Sequence, residues 1–192
     1  MTGNIVSAAV QDVNIAFFQS AGIDFEAMYS FDLAGTFGSE ADWGDVRARV
    51  VGTKLQRLDV VTSAGGAVDD EVGELTTLLG ESAPEYIVNV DLTWFWRKFT
   101  LNYQYRWQSG TLRVERLDLQ QEPDIQEPFE TRDFHNHDIS LNYQINDAIN
   151  VFAGVNNLAK PPREIGFLRR DRVFFMGVRF RADSFSSLGG LF

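Results

Sequence analysis

The feature that most constrains this sequence is a strict alternation of apolar and polar side chains in seven separate segments. In VNVDLTWFW, residues 88–96, the even positions hold Val, Leu and Trp, while positions 89, 91 and 93 hold Asn, Asp and Thr. A β-strand points successive side chains to opposite faces, so a period of two predicts a strand. We predict an all-β antiparallel fold of about seven to eight strands, at approximately 20–32, 44–56, 86–96, 99–108, 135–145, 149–157 and 172–181.

The connections between these strands are of two lengths. Arg97-Lys98 and residues 146–148 are short enough for tight turns. Long loops are predicted at approximately 57–85, 109–134 and 158–171, so short turns and long loops should lie at opposite ends of the sheet. Residues 32–44 fall at the short-turn end, although the segment is longer than a tight turn needs.

Aromatic residues mark both ends of the predicted apolar face. A two-residue turn at Arg97-Lys98 pairs Trp96 with Phe99 and, further along, Val88 with Trp107. Between these ends the residues are more often aliphatic. An outward apolar band between two aromatic girdles is typical of an outer-membrane barrel. The predicted membrane girdle consists of Trp94, Trp96, Phe99, Tyr105 and Trp107.

The opposite face carries charged side chains that would line a polar lumen, namely Asp24, Glu26, Arg47, Arg49, Asp91, Arg106, Arg179 and Arg181. A soluble ligand-binding β-barrel also alternates and stays an alternative. Another alternative is a small self-contained outer-membrane barrel of eight strands, acting as a passive pore or anchor. Side chains just fill such a barrel, which predicts tight salt bridges among Asp24, Glu26, Arg47, Arg49, Arg179 and Arg181.

Composition excludes several classes of protein. The net charge of −10 argues against a nucleic-acid partner, which needs clustered Lys and Arg. The chain has no cysteine, so disulfides, thiol nucleophiles and cysteine-type zinc sites are excluded. No apolar run approaches the roughly 20 residues of a membrane-spanning helix.

One histidine pair bears on metal chemistry. His135 and His137 are two residues apart, so in a strand they share a face, and Asp133 or Asp138 is near in sequence. That arrangement makes at most half of a metal site. We expect instead a polar strand end near the lipid headgroups, and we predict no metal and no cofactor.

Two carboxylate-rich features bear on catalysis and ligand binding. Asp24 and Glu26 share a strand face, but no third group converges on them by sequence, so we predict no catalytic residue and no enzyme activity. The acidic loops at 69–81 and 115–130 are expected to be solvated. Binding of a cationic or metal-bearing ligand by these loops is the alternative.

The last predicted strands resemble those of TonB-dependent outer-membrane receptors. That family commonly shows a strand ending in Gly-Val-Asn-Asn-Leu, then a proline-containing loop and a final aromatic strand with a central glycine. The corresponding residues here are Gly154, Val155, Asn156, Asn157 and Leu158, then Pro161 and Pro162, then Phe174, Phe175 and Gly177. SAGIDFEAMYSF, residues 20–31, resembles a recurrent upstream strand of the family. The resemblance covers about residues 13–181.

The resemblance implies a barrel of about 22 strands with a plugged lumen in the outer membrane of a Gram-negative bacterium. Residues 1–192 would be the C-terminal part of that barrel, without the plug domain. The implied function is TonB-dependent uptake of a scarce ligand, such as an iron chelate, cobalamin or an oligosaccharide. We expect a fragment or truncated gene product that does not transport alone.

The resemblance also implies a set of partners. They are outer-membrane lipid, the barrel-assembly machinery, the remainder of the receptor and, through the missing plug, the inner-membrane energy-transducing complex. Family members usually end on the aromatic residue of the final strand, which the assembly machinery reads. Here the chain continues after Arg181, so the assembly signal would be Phe180 or Phe192.

Overall fold

One antiparallel sheet forms most of the structure, a computed structural model that describes residues 17–61, 65–75, 80, 82–113, 130–159 and 171–181. Its strands are β1 (Phe17–Asp32), β2 (Asp45–Val61), β3 (Asp69–Asp70), β4 (Tyr86–Trp96), β5 (Phe99–Gln108), β6 (Phe134–Gln144), β7 (Ile149–Asn156) and β8 (Val173–Phe180). A five-residue helix, α1 (Leu33–Phe37), follows β1. The predicted all-β fold is confirmed.

The sheet is open, with β1 and β8 as its edges. The strands lie in the order β1-β2-β4-β5-β6-β7-β8, and the two-residue β3 pairs with the far end of β2. Each step along this path is antiparallel, and six steps separate β1 from β8. The two edges therefore run in the same direction, and they cannot join each other as an antiparallel pair.

The hairpin of β4 and β5 has the predicted register. Trp96 is the cross-strand partner of Phe99, and Val88 is the partner of Trp107. On the opposite face, Asp91 lies across from Gln104. The prediction succeeds because a two-residue turn fixes every later pair in a regular antiparallel ladder.

The apolar band crosses the sheet at an angle to the strands. One row of cross-strand partners runs through Phe31, Val46, Trp94, Leu101, Leu141, Ala153 and Met176. In β1 the other apolar residues on this face, from Ile23 to Tyr29, lie between that row and the long-loop end of the sheet. In β8 two of them, Val178 and Phe180, lie on the short-turn side. This displacement is the one expected of strands that tilt in a barrel wall.

The prediction that β2 ends near residue 56 was wrong, because a β-bulge carries the strand on to Val61. Gly22 pairs with Leu55 and Ala21 pairs with Arg57, so Gln56 is the extra residue. A bulge shifts the alternation by one. Leu58 and Val60 consequently lie on the polar side of the sheet, where simple alternation would not place them.

These residues pack into a small hydrophobic core at the long-loop end of the sheet. Leu58, Val72 and Ala83 form a buried cluster with Leu55 packed against it, and Val60 is only 2% exposed. Residues 57–85, predicted as one long loop, thus contribute five strand residues of β2, then β3, and part of a hydrophobic core. Sequence periodicity missed this core because its members come from separate segments.

The segment after β1 is folded rather than being a plain turn. Asp32 caps α1, accepting hydrogen bonds from the backbone N–H groups of Ala34 and Gly35 at 3.2 and 2.6 Å. Gly38 ends the helix in the left-handed conformation. Leu33 then donates its N–H to the carbonyl of Gly44, which closes the loop before β2 begins.

Candidate functional site

A chain of polar side chains crosses the polar face from β1 to β6. We call it the polar belt, and it consists of Glu26, Arg49, Asp91, Gln104, Arg106 and Asp138. Arg49 donates to Glu26 at 2.7 Å and lies 3.8 Å from Asp91. Gln104 donates to Asp91 at 2.8 Å. Arg106 donates to both Gln104 and Asp138, at 3.3 and 3.1 Å. The belt ties five strands together with alternating charge.

The other predicted lumen residues do not join the belt. Asp24 accepts a hydrogen bond from the Thr53 hydroxyl at 2.6 Å. Arg47 and Arg179 lie over the rings of Phe95 and Phe152, at 5.5 and 6.0 Å. Arg181 follows β8, and its backbone N–H donates to the carbonyl of Ala148.

This pattern bears on the alternative of a small closed barrel. Within the residues that the structure describes, the only salt bridge among the six predicted participants joins Arg49 to Glu26. The dense interior pairing of an eight-stranded barrel is therefore not formed, and the sheet is not closed.

A polar groove of about 360 Å³ lies beside the belt on β4 to β8. Its lining includes hydroxyl, amide and carboxylate groups and an aromatic ring, from Thr93, Asn102, Ser140, Asn156, Asp138 and Phe175. Thr93 donates to the side-chain oxygen of Asn102 at 3.0 Å. Such a surface offers both hydrogen-bond donors and hydrogen-bond acceptors.

The Asn-Asn-Leu segment ends β7 and anchors the loop that follows. Asn157 has a φ of 56°, in the left-handed region. Its backbone N–H donates to Asp138 at 2.8 Å, and its side-chain nitrogen donates to the carbonyl of Asp171 at 3.0 Å. Leu158 donates its N–H to the carbonyl of His137 and accepts a hydrogen bond from Arg172. The motif therefore joins both ends of the 158–171 loop to the polar belt.

The two motif glycines make room for two phenyl rings. On the polar face, Gly154 is the cross-strand partner of Phe175, and Gly177 is the partner of Phe152. A Cβ on either glycine would overlap the ring of its partner. Each strand thus places a phenyl ring over the glycine of its neighbour. This packing requires glycine at both positions.

At the short-turn end, the predicted girdle residues bond to the folded turn after β1. The indole N–H of Trp94 donates to the carbonyl of Trp43 at 2.7 Å, and that of Trp96 donates to Asp42 at 2.9 Å. The Trp94 and Trp96 rings stack, with centroids 5.7 Å apart. Trp96 also stacks on Phe99. This clamp explains why the segment is longer than a tight turn.

At the long-loop end, three aromatic residues of β5 bond diagonally to β6. The Tyr103 and Tyr105 hydroxyls lie 2.7 Å from Nδ1 of His137 and His135, and the Trp107 indole donates to Asp133 at 3.0 Å. The polar N–H and O–H groups of four predicted girdle residues, Trp94, Trp96, Tyr105 and Trp107, thus all have protein partners. The sequence signal for these hydrogen bonds is the pattern Tyr-x-Tyr-x-Trp in β5 and Asp-x-His-x-His at the start of β6.

The predicted histidine pair does share one face. Asp138 points to the other face of β6, into the polar belt, and Asp133 is bonded to Trp107 and to the N–H of Gly110. Across the described ranges, no group of three or more His, Asp or Glu side chains is placed to hold a metal ion.

The expectation that the 69–81 loop is solvated was wrong for two of its carboxylates. Glu71 is 5% exposed and Glu74 is 1% exposed. Backbone hydrogen bonds join this loop to the next one, since Leu112 donates to Gly73 and accepts from Leu75. We call the joined segments the loop cap, comprising residues 71–75, 82–84, 111–112 and 130–131.

The remaining predicted residues divide between described and undescribed parts of the chain. Val155 pairs with Phe174 on the apolar face. Phe180 lies on the same face at the end of β8, paired with Ile149. Phe192, Pro161, Pro162 and the 115–129 part of the second acidic loop lie outside the described residues.

No helix in the described residues is long and apolar enough to span a membrane. No curated protein and no solved structure matches the chain. A family model described as "TonB dependent receptor-like, beta-barrel" matches residues 9–158, well over half of the chain. The chain belongs to the TonB-dependent receptor-like β-barrel family.

Proposed function

We propose that this chain forms part of the barrel wall of an outer-membrane receptor that takes up a scarce ligand by TonB-dependent transport. The proposal rests chiefly on one observation, the open sheet whose two edges run in the same direction. Edge N–H and C=O groups have no partner in lipid, so further strands must complete the wall. Closing an antiparallel barrel between parallel-running edges takes an odd number of additional strands, whatever residues supply them. A total of about 22 strands meets this condition.

The two faces support a lipid exterior and a polar interior. On the apolar face, Met176 is 86% exposed, and Phe174 and Tyr29 are also exposed. A soluble protein rarely leaves so continuous an apolar surface uncovered. The other face holds the polar belt and the polar groove, which suit a lumen occupied by water and a plug domain.

The loop cap supports a receptor rather than a passive pore. It folds over the polar side of β2, where Leu58 and Val60 anchor it. A preformed surface at the outer mouth suits ligand capture, because less conformational entropy is lost on binding. Since Glu71 and Glu74 point inward, ligand contacts would come from other cap residues.

The ligand belongs to one of three classes, an iron chelate, cobalamin or an oligosaccharide. The test compares cells with and without an in-frame deletion of the encoding gene. Uptake of one labelled ligand should fall in the deletion strain and should also fall in wild-type cells treated with a protonophore. Uptake that the deletion abolishes but the protonophore leaves unchanged would identify a passive pore and contradict the proposal.

A further inference from the structure

His135 and His137 each present one ring nitrogen to the exterior of the sheet. Nδ1 of His137 is paired with the Tyr103 hydroxyl and Nδ1 of His135 with the Tyr105 hydroxyl, both at 2.7 Å. When a phenol donates to Nδ1, a neutral imidazole carries its proton on Nε2. Neither Nε2 has a hydrogen-bond partner among the residues that the structure describes. With both phenols donating to Nδ1, the two Nε2–H groups lie on the apolar face without a partner among the described residues.

The two donors lie where the apolar band ends on β6. Toward the short turns, the same face of β6 shows Ile139, Leu141 and Tyr143. Toward the long loops it shows His137 and then His135, which is exposed. The surface changes from apolar to polar at His137, which puts the imidazoles at the boundary between acyl chains and headgroups.

A donor at this boundary requires an acceptor outside the protein. An N–H group left without a partner beside hydrocarbon is strongly unfavourable. Residues two apart on one face of a strand are separated by about 7 Å, which spaces the two imidazoles to reach different oxygens of one headgroup. Phosphate oxygens are the strongest acceptors at this depth.

We propose that His135 and His137 bind the phosphate-bearing headgroup of an outer-leaflet lipid through their Nε2–H donors. This site is continuous with the lipid-facing surface of the barrel, and the inference rests on the proposed function. Tyr103 and Tyr105 act as positioning residues, since their hydroxyls fix the tautomer that turns the Nε2 protons outward.

The test uses the complete barrel purified from outer membranes, in nanodiscs of a phosphorylated outer-leaflet glycolipid or of the same lipid with its phosphates removed. Thermal unfolding of the wild-type barrel should occur at a higher temperature in the phosphorylated lipid. The double variant His135→Phe/His137→Phe, which removes both N–H donors, should lose that difference and retain the phosphorylated lipid about tenfold less tightly. Tyr143→Phe, a matched change at the other end of the same face, should behave as wild type.

Three outcomes would overturn the inference. One is an equal lipid-dependent shift in the wild type and the double variant. Another is the same shift produced by inorganic phosphate in the dephosphorylated lipid, which would show an anion site rather than a lipid site. If the double variant does not assemble, Tyr105→Phe is used instead. The third contradicting outcome is then a changed His135 tautomer, read from ¹⁵N-histidine NMR, together with an unchanged lipid-dependent shift. A barrel absent from the outer-membrane fraction would instead refute the proposed function.

Discussion

The carboxylate of Asp138 on β6 accepts a hydrogen bond of 2.8 Å from the backbone N–H of Asn157, the residue that follows β7. The same carboxylate accepts from Arg106 and from the side chain of Asn136. Its position therefore links the polar belt to the base of the 158–171 loop. The end of β7 is therefore held by hydrogen bonds that Asn157 makes.

Asn157 is expected to matter mainly through its backbone conformation. Asn157→Ala should destabilise the loop base by about 1 kcal/mol, because alanine tolerates the left-handed region poorly. Asn157→Gly is the matched control, since it also loses the bond to Asp171 but adopts the same φ freely. Hydrogen exchange of residues 156–158 and 171–173 should accelerate more in the alanine variant. Equal acceleration in both variants would show that the side chain alone matters.

Gly177 and Phe152 should be energetically coupled. Gly177→Ala should destabilise the barrel by about 1–3 kcal/mol, because the new methyl group overlaps the Phe152 ring. In a Phe152→Ala background, the same change should cost less than about 0.5 kcal/mol. Urea unfolding of the four barrels of this double-mutant cycle measures the coupling. The same cost in both backgrounds would contradict the packing described here.

The clamp at the short-turn end should depend on the Trp94 indole N–H. Trp94→Phe leaves the Trp43 carbonyl without that donor and should weaken the clamp by about 1 kcal/mol. Backbone amides of residues 39–44 should then exchange faster. Trp107→Phe removes an indole N–H at the other end of the barrel and should leave those amides unchanged. Faster exchange in both variants would point to a general loss of stability.

The two arginines of the polar belt should contribute unequally to the free energy of unfolding. The Arg106 partner Asp138 has a side chain that is 14% exposed, whereas Glu26 and Asp91 beside Arg49 are 53% and 29% exposed. Arg106→Met should cost about 1–3 kcal/mol, because it leaves a partly buried carboxylate without its cation. Arg49→Met should cost about 0.2–1 kcal/mol and lose its effect in high salt. Urea unfolding at low and high salt measures both costs. A larger loss of stability for Arg49→Met than for Arg106→Met would contradict this prediction.

Much of the sheet could be predicted from the sequence because strand pairing here is local. The turn at Arg97-Lys98 fixes the β4–β5 register, and alternation assigns each side chain to a face. The bulge at Gln56 defeats that logic, since a single extra residue reverses the faces of Leu58 and Val60. The loop cap is also invisible to periodicity, because Gly73 and Leu112 meet only through long-range backbone contacts.

The hydrogen bonds of the predicted girdle residues were not foreseen from the sequence. Aromatic residues at strand ends are readable from the sequence, whereas their partners depend on neighbouring strands and turns. The Trp94 bond needs the fold of residues 33–44, and the Tyr105 bond to His135 needs the β5–β6 register, which spans a long loop.

The central claim is that the apolar face of this sheet meets lipid and the polar face meets the interior of a receptor barrel. The chain has no cysteine. With any cysteine elsewhere in the complete barrel replaced by serine, single cysteines at Leu101, Asn102, Tyr103 and Gln104 of β5 are each labelled uniquely. Nitroxide labels in the complete barrel report contact with lipid-soluble oxygen or with a water-soluble relaxing agent. Labels at 101 and 103 should be oxygen-accessible, and those at 102 and 104 should not. Equal access at all four positions, or the inverse alternation, would contradict the claim.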